Sequence, residues 1–275
     1  MLNNKEDDVS MKKTVTDTAV EMVKSIPIDD NAKKIVGKEV GKTLTTITKA
    51  VNLAISPLAA TVYGYETIKD FLVTTLSEKL RKVPLEDIVE PKARVVGAAL
   101  ESLKHLDESD DDAILKDMYA NLIASSINRN VKQKAHPAFV EIIKQLDPFD
   151  VKLLEYLRVN AKAINSGNPI LTLRQYLNKD SGIQVTICKW LLPDNALKIF
   201  DMDLKKIESS IENLERLKLI FIESNRTYTN KSIYDELFNG LFYKSLRVKL
   251  GNDLDVEQGY IEITSFGDNF LTVCS

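Results

Sequence analysis

From Thr14 onward, apolar positions recur every three or four residues through the first half of the chain, and this spacing predicts a run of amphipathic helices. Val15, Ala19, Met22, Val23 and Ile26 mark the first helix, which Pro27 and Asp29-Asp30 stop. The second, over about 30–53, carries Lys33, Lys34, Lys38, Lys42 and Lys49 against Glu39 alone, a basic solvated face. Ser56-Pro57 opens a third, a capping hydroxyl followed by proline at the first helical position. Leu58, Val62, Tyr65, Leu72, Leu76 and Leu80 form its buried stripe. Pro84 and Pro91 bracket an extended acidic connector, and Pro91 opens a helix holding Val95, Ala99, Leu100 and Leu103. The acidic run from Asp107 to Asp112 breaks that helix and sits at the favourable N-terminus of the next. Leu115, Met118, Tyr119, Leu122 and Ile123 should face inward there.

The stretch His136 to Leu157, HPAFVEIIKQLDPFDVKLLEYL, reads as two short helices meeting at Asp147-Pro148. Phe139, Ile142, Ile143 and Leu146 are the inward positions of the first, and Val151, Leu154 and Leu157 of the second. Asp147 caps the second, with Asp150 completing a capping-box variant. Beyond the turn at 166–169 the pattern changes. ILTLRQYL, residues 170–177, reads as a short helix or a strand leading into a helix. Residues 178–200 are ambiguous, with Ile187, Trp190, Leu191 and Leu192 as buried positions. Leu204, Ile207, Ile211, Leu214 and Leu217 then define a strongly amphipathic helix running into a strand, LIFIES. A polar segment over 225–258 holds a weak helical pattern around Ser232, and a strand and short helix end the chain.

Helix, turn, helix, strand, long polar segment, strand is the order of a winged helix-turn-helix. The expected fold is therefore mostly α: a helical bundle over 14–146, with an amphipathic hairpin around 50–82, then a winged-helix-like α+β domain over 147–275. Residues 225–258 would be a long wing insertion and residues 1–13 a disordered tail.

Composition narrows the class without naming a chemistry. A net charge of −3 over 275 residues argues against a surface built wholly for nucleic acid. Cys188 and Cys274 lie far apart, which fits free thiols in a reducing cytoplasm. The N-terminus, MLNNKEDDVS, is polar and acidic, unlike a signal peptide. The most apolar run, Ala50 to Tyr65, falls short of the roughly 20 residues needed to span a bilayer.

No nucleophile elbow, zinc-protease helix, phosphate loop or dinucleotide fingerprint occurs. His105 and His136 stand in different segments, and Asp110 to Asp112 lack the glycine and terminal glutamate of a calcium loop. The residues therefore assign no catalytic group, metal or cofactor. A nucleic-acid surface would use Lys205, Lys206, Ser209, Ser210 and Asn213 on the helix, with Arg226 and Lys231 beyond it. However, Lys205, Lys206, Arg216 and Lys218 are matched by Asp203, Glu208, Glu212 and Glu215, and a charge-balanced helix gains little from phosphates. Residues 50–82, apolar with basic flanks, could instead lie on an anionic membrane surface.

Several stretches together resemble the bacterial abortive infection alpha family: NLAISPLAATVYGYETIKDFL, LEDIVEP, GAALESLKH, MYANLIASSIN, HPAFVEIIKQLDPFDVKLLEYL and ITSFGDNFLTVC. The resemblance implies phage resistance through arrest or death of the infected cell, and supplies no reaction, ligand or catalytic residue. Among the matched positions, Glu66, Glu90, Asn121, His136 and Gln145 are the polar ones suited to a partner or regulatory surface. The expectation is a cytoplasmic, non-enzymatic antiphage protein acting through a protein partner, self-association or membrane contact, peripheral at the inner membrane when active. The alternatives are a winged-helix DNA-binding regulator and a hydrolase whose site is assembled from distant residues.

Overall fold

In the computed structural model, residues 65–106, 109–164, 167–224 and 226–275 are described. The helices are α1 (Tyr65–Leu80), α2 (Ala93–Leu103), α3 (Asp110–Ile127), α4 (Ala138–Ile143) and α5 (Pro148–Ile164), followed by strands β1 (Asn168–Asn178) and β2 (Ile183–Leu191). Then come α6 (Asp194–Ile199), α7 (Leu204–Arg216), β3 (Ile220–Glu223), α8 (Asp235–Asn239), α9 (Leu241–Leu250), β4 (Leu254–Ile263) and α10 (Ser265–Cys274). The chain divides into two compact units. Among the described residues, one holds residues 65–143 with Val273–Ser275, and the other spans Lys144–Thr272.

In the first unit α3 packs against α1, α2 and α4. Leu115, Met118, Tyr119, Ala120, Leu122, Ile123, Ala124 and Ile127 of α3 are all buried, so the helix is enclosed on most sides. Leu72, Leu76 and Leu80 of α1 and Val95, Ala99, Leu100 and Leu103 of α2 are buried, as their spacing predicts. Ser109 caps α3 by accepting from the Asp112 N–H at 3.3 Å. The helices expected over 14–64 lie outside the described residues, so a helical bundle over 14–146 is not what the structure displays.

The second unit is not a winged helix. It is built on a four-stranded, fully antiparallel sheet in the order β2-β1-β4-β3. Its longest strand, β1, and its hairpin partner β2 precede α7, where a winged helix would have helices. The reason they were hard to read lies in their burial. Asn168 to Leu173 are buried without interruption, because β1 is central and covered on both faces, which removes the alternation of a half-exposed strand. The presumed wing insertion is also structured: a 3-10 turn, Lys231–Tyr234, precedes α8 and α9, and β4 begins at Leu254.

The α7–β3 corner is tightly specified. Lys218 takes a left-handed φ of 60°, and the Leu219 N–H donates to Leu214 O at 3.0 Å, closing the helix. The Thr264 hydroxyl donates to Lys218 O at 2.6 Å and its N–H to Leu219 O at 3.1 Å. A Cβ on Gly267 would lie 2.0 Å from that same Leu219 carbonyl. The Thr-x-x-Gly of the C-terminal stretch is thus a docking device: threonine hydrogen-bonds the corner, and glycine lets α10 approach it.

Candidate interaction surface

Asp147 starts the second unit's site. Its Oδ1 accepts the N–H groups of Phe149 (2.7 Å) and Asp150 (2.9 Å), while Asp150 Oδ2 accepts the Asp147 N–H at 3.1 Å. This is the reciprocal cap that the sequence predicts at the start of α5. The buried Asp150 carboxylate does more than cap. Ser210 Oγ donates to its Oδ1 at 2.6 Å, and Asn213 Nδ2 donates to its Oδ2 at 2.7 Å. Asn213 Nδ2 also reaches Gln145 O at 2.9 Å, and Arg216 donates to Gln145 Oε1 (2.8 Å) and Asn213 Oδ1 (2.6 Å). A buried carboxylate is tolerable only when its oxygens are satisfied, and here donors from α5 and α7 supply that. The network fixes α5 against α7.

A cleft of roughly 390 Å³ opens beside this network, lined by Lys144, Asp147, Phe149, Lys206 and Ser209 among others. Lys206 Nζ sits 4.7 Å from the centre of the Phe149 ring, a cation–π contact. Two lysines and two aspartates face the cleft, so its charge is balanced. The Ser210 hydroxyl, on the cleft wall, donates its hydrogen bond to the Asp150 carboxylate.

On its other side α7 holds β2. Lys189 ion-pairs with Glu208 and Glu212 of α7, each at 3.2 Å, and those two partners hold its ammonium above its ordinary pKa. Lys189 is the one charged residue of β2, and these pairs tie it to α7, while Ile183 to Cys188 are all uncharged. Burial, with Glu208 nearby, pushes the Cys188 thiol up to about 12.

The open edge of β2 follows. Among the described residues β2 pairs only with β1. The register slips between Leu171 and Arg174 place extra residues on β2 near Ile187 and at Lys189-Trp190, where Trp190 takes a φ of 52°. Bulges of this kind bend an edge away from new partners. They leave Gln184 to Thr186 in regular register opposite Tyr176 to Arg174. At that same end Leu177, Ile183 and Val185 are 64%, 54% and 44% exposed. The opposite edge strand, β3, is only four residues long. A short edge is one standard protection, and β2 lacks both that and a guarding charge.

The residues singled out from sequence fall in several places. In the second unit, Gln145, Lys206, Ser209, Ser210 and Asn213 converge on the Asp150 cleft. Ser210 and Asn213 are committed to Asp150 there, and Lys205 is exposed on α7. Arg226 is exposed and 3.9 Å from Glu223. Lys231 donates to Gln258 Oε1 at 3.2 Å and lies 5.9 Å from the Tyr234 ring. In the first unit, Glu66 lies on α1, and Glu90 is exposed, its carbonyl accepting from Lys132. Asn121 bonds Asp117 and Cys274 O at 3.0 and 3.2 Å. His136 caps α4, its Nδ1 accepting the Ala138 N–H at 3.1 Å. Leu177, Ile183 and Val185 were missed. The alternation Ile183-Val185-Ile187 hinted at the strand, but that face points outward, the reverse of the usual reading.

Fold and surface together describe one α+β unit with a braced, open sheet edge and one helical unit. The chain belongs to the abortive infection alpha family, whose pattern it matches over residues 64–274. The family is named for abortive infection, a form of phage defence. No curated protein and no solved structure is significantly similar to the chain. Among the described residues no helix is long and apolar enough to cross a membrane, and no group of three or more acidic, histidine or cysteine side chains is placed to hold a metal ion.

Proposed function

We propose that this chain is a non-enzymatic abortive-infection protein that acts by contact with a partner protein, through the β1–β2 hairpin end of its second unit. The observation that carries the reading is the free edge of β2: regular from Gln184 to Thr186, uncharged from Ile183 to Cys188, and flanked by exposed Leu177, Ile183 and Val185. An extended segment of a partner can add a strand there through main-chain hydrogen bonds, with the aliphatic side chains supplying buried area. The Asp150 network and the Lys189 ion pairs support the same reading, because they brace α7 and β2 without consuming the edge. The test is expression of the full chain in a phage-sensitive host. Infected cells should arrest or die before releasing phage, while uninfected cells grow. Survival of individual infected cells would contradict an abortive mode.

A further inference from the structure

Helix α9, Leu241–Leu250, carries three cations, Lys244, Arg247 and Lys249, and no acidic residue. None of its ten residues is buried, although it lies against α8 and β4. Phe242, Tyr243, Leu246 and Leu250 are half-buried, and Tyr243 packs edge-on against Phe238 of α8 at 5.1 Å. On the outer side Leu241 and Val248 are 73% and 88% exposed. They are seven residues apart, two helical turns, and share their face with Lys244 and Ser245 at the intervening i+3 and i+4 positions. Arg247 donates to Gly251 O (3.0 Å) and Leu254 O (3.4 Å). Among the described residues Lys244 and Lys249 make no ion pair. The acids nearest in sequence lie off the helix: Asp235 and Glu236 on α8, and Asp253, which pairs with Lys179 at 3.0 Å.

We infer that the outer face of α9 docks on an anionic lipid bilayer. Its cations, with Lys244 and Lys249 free of acidic partners among the described residues, complement a negatively charged headgroup layer, and these two lysines accompany two protruding aliphatic side chains that a headgroup–acyl boundary can accept. A nucleic acid would use the cations and leave Leu241 and Val248 without a role. A protein partner would need about 800 Å² of contact on its side, more than one helix about 15 Å long supplies.

The test is co-sedimentation of the full chain with vesicles of phosphatidylcholine alone or with about one-third phosphatidylserine. The wild type should sediment with the phosphatidylserine vesicles at low salt, leave them at high salt, and ignore the neutral ones. At about fivefold per cation, Lys244→Gln with Lys249→Gln should weaken partitioning about 25-fold. Leu241→Ser with Val248→Ser should weaken it as well, and all four positions are exposed, so circular dichroism should be unchanged. Equal sedimentation with neutral and anionic vesicles would overturn the inference. So would variants that sediment like the wild type, which would place lipid binding elsewhere in the chain. Absence of vesicle binding combined with duplex-DNA binding that only the lysine variants lose would assign the face to nucleic acid instead.

Discussion

Ser210 Oγ donates to Asp150 Oδ1 at 2.6 Å with both residues buried, so a helix-capping carboxylate of α5 is also the anchor for α7. One group thereby serves local structure, through the Asp147 N–H, and tertiary structure, through Ser210 and Asn213. Asp150→Ala strands a buried hydroxyl and a backbone donor and takes one of the two acceptors of the Asn213 amide, and should cost about 3 kcal/mol. Ser210→Ala should cost about 1–2 kcal/mol. Urea unfolding should show the midpoint falling at constant slope in both, and a double-mutant cycle should return a coupling of about 1 kcal/mol or more.

Gly267→Ala should destabilise by about 1–3 kcal/mol, because its Cβ would lie 2.0 Å from the Leu219 carbonyl and backbone must move. Gly97→Ala is the matched control. It sits within α2 with nothing within 4 Å of the added Cβ, and should stabilise by about 0.5–1 kcal/mol. Thermal melts of the two variants should shift in opposite directions.

Alkaline pH should unfold the protein through groups that burial keeps protonated. Burial chiefly pushes Tyr119 up to about 12, from an ordinary value of 10.0. Between those values the unfolded chain has lost its proton and the folded one retains it. Stability is therefore full below pH 10 and falls as pH rises toward 12, at up to about 1.4 kcal/mol per pH unit for this group. Cys188 adds a loss of the same sign that begins at its ordinary 9.0 and runs to about 12. Burial likewise raises Tyr156 to about 12, so Tyr119→Phe should make the decline between pH 10 and 12 shallower without abolishing it, measured by denaturant unfolding at each pH, and leave the onset near pH 9 in place.

The helices of the first unit were legible because each carries its own period and stop signal. Leu72-Leu76-Leu80 and Met118-Tyr119-Leu122-Ile123 needed no tertiary information. The capping pair Asp147 and Asp150 was legible for the same reason. The sheet was not. Whether β1 alternates depends on what covers its second face, and whether Ile183 and Val185 point inward depends on β2 being an edge. Both facts are set by strand order. The same holds for α7: its buried stripe was readable, but Ser210 and Asn213 looked like free polar groups because their partner lies 60 residues or more away in sequence.

The hairpin end can be tested against an equally simple control. Val159 on α5 is also an exposed aliphatic residue, away from the β2 edge in sequence and structure class. The decisive measurement is phage plating efficiency on cells expressing Ile183→Lys with Val185→Lys, compared with Val159→Lys, at matched soluble protein levels and unchanged melting temperature. Two edge lysines block strand addition, so the double variant should lose protection roughly tenfold or more, while Val159→Lys protects like the wild type. Full protection by the double variant would contradict action through the β2 edge.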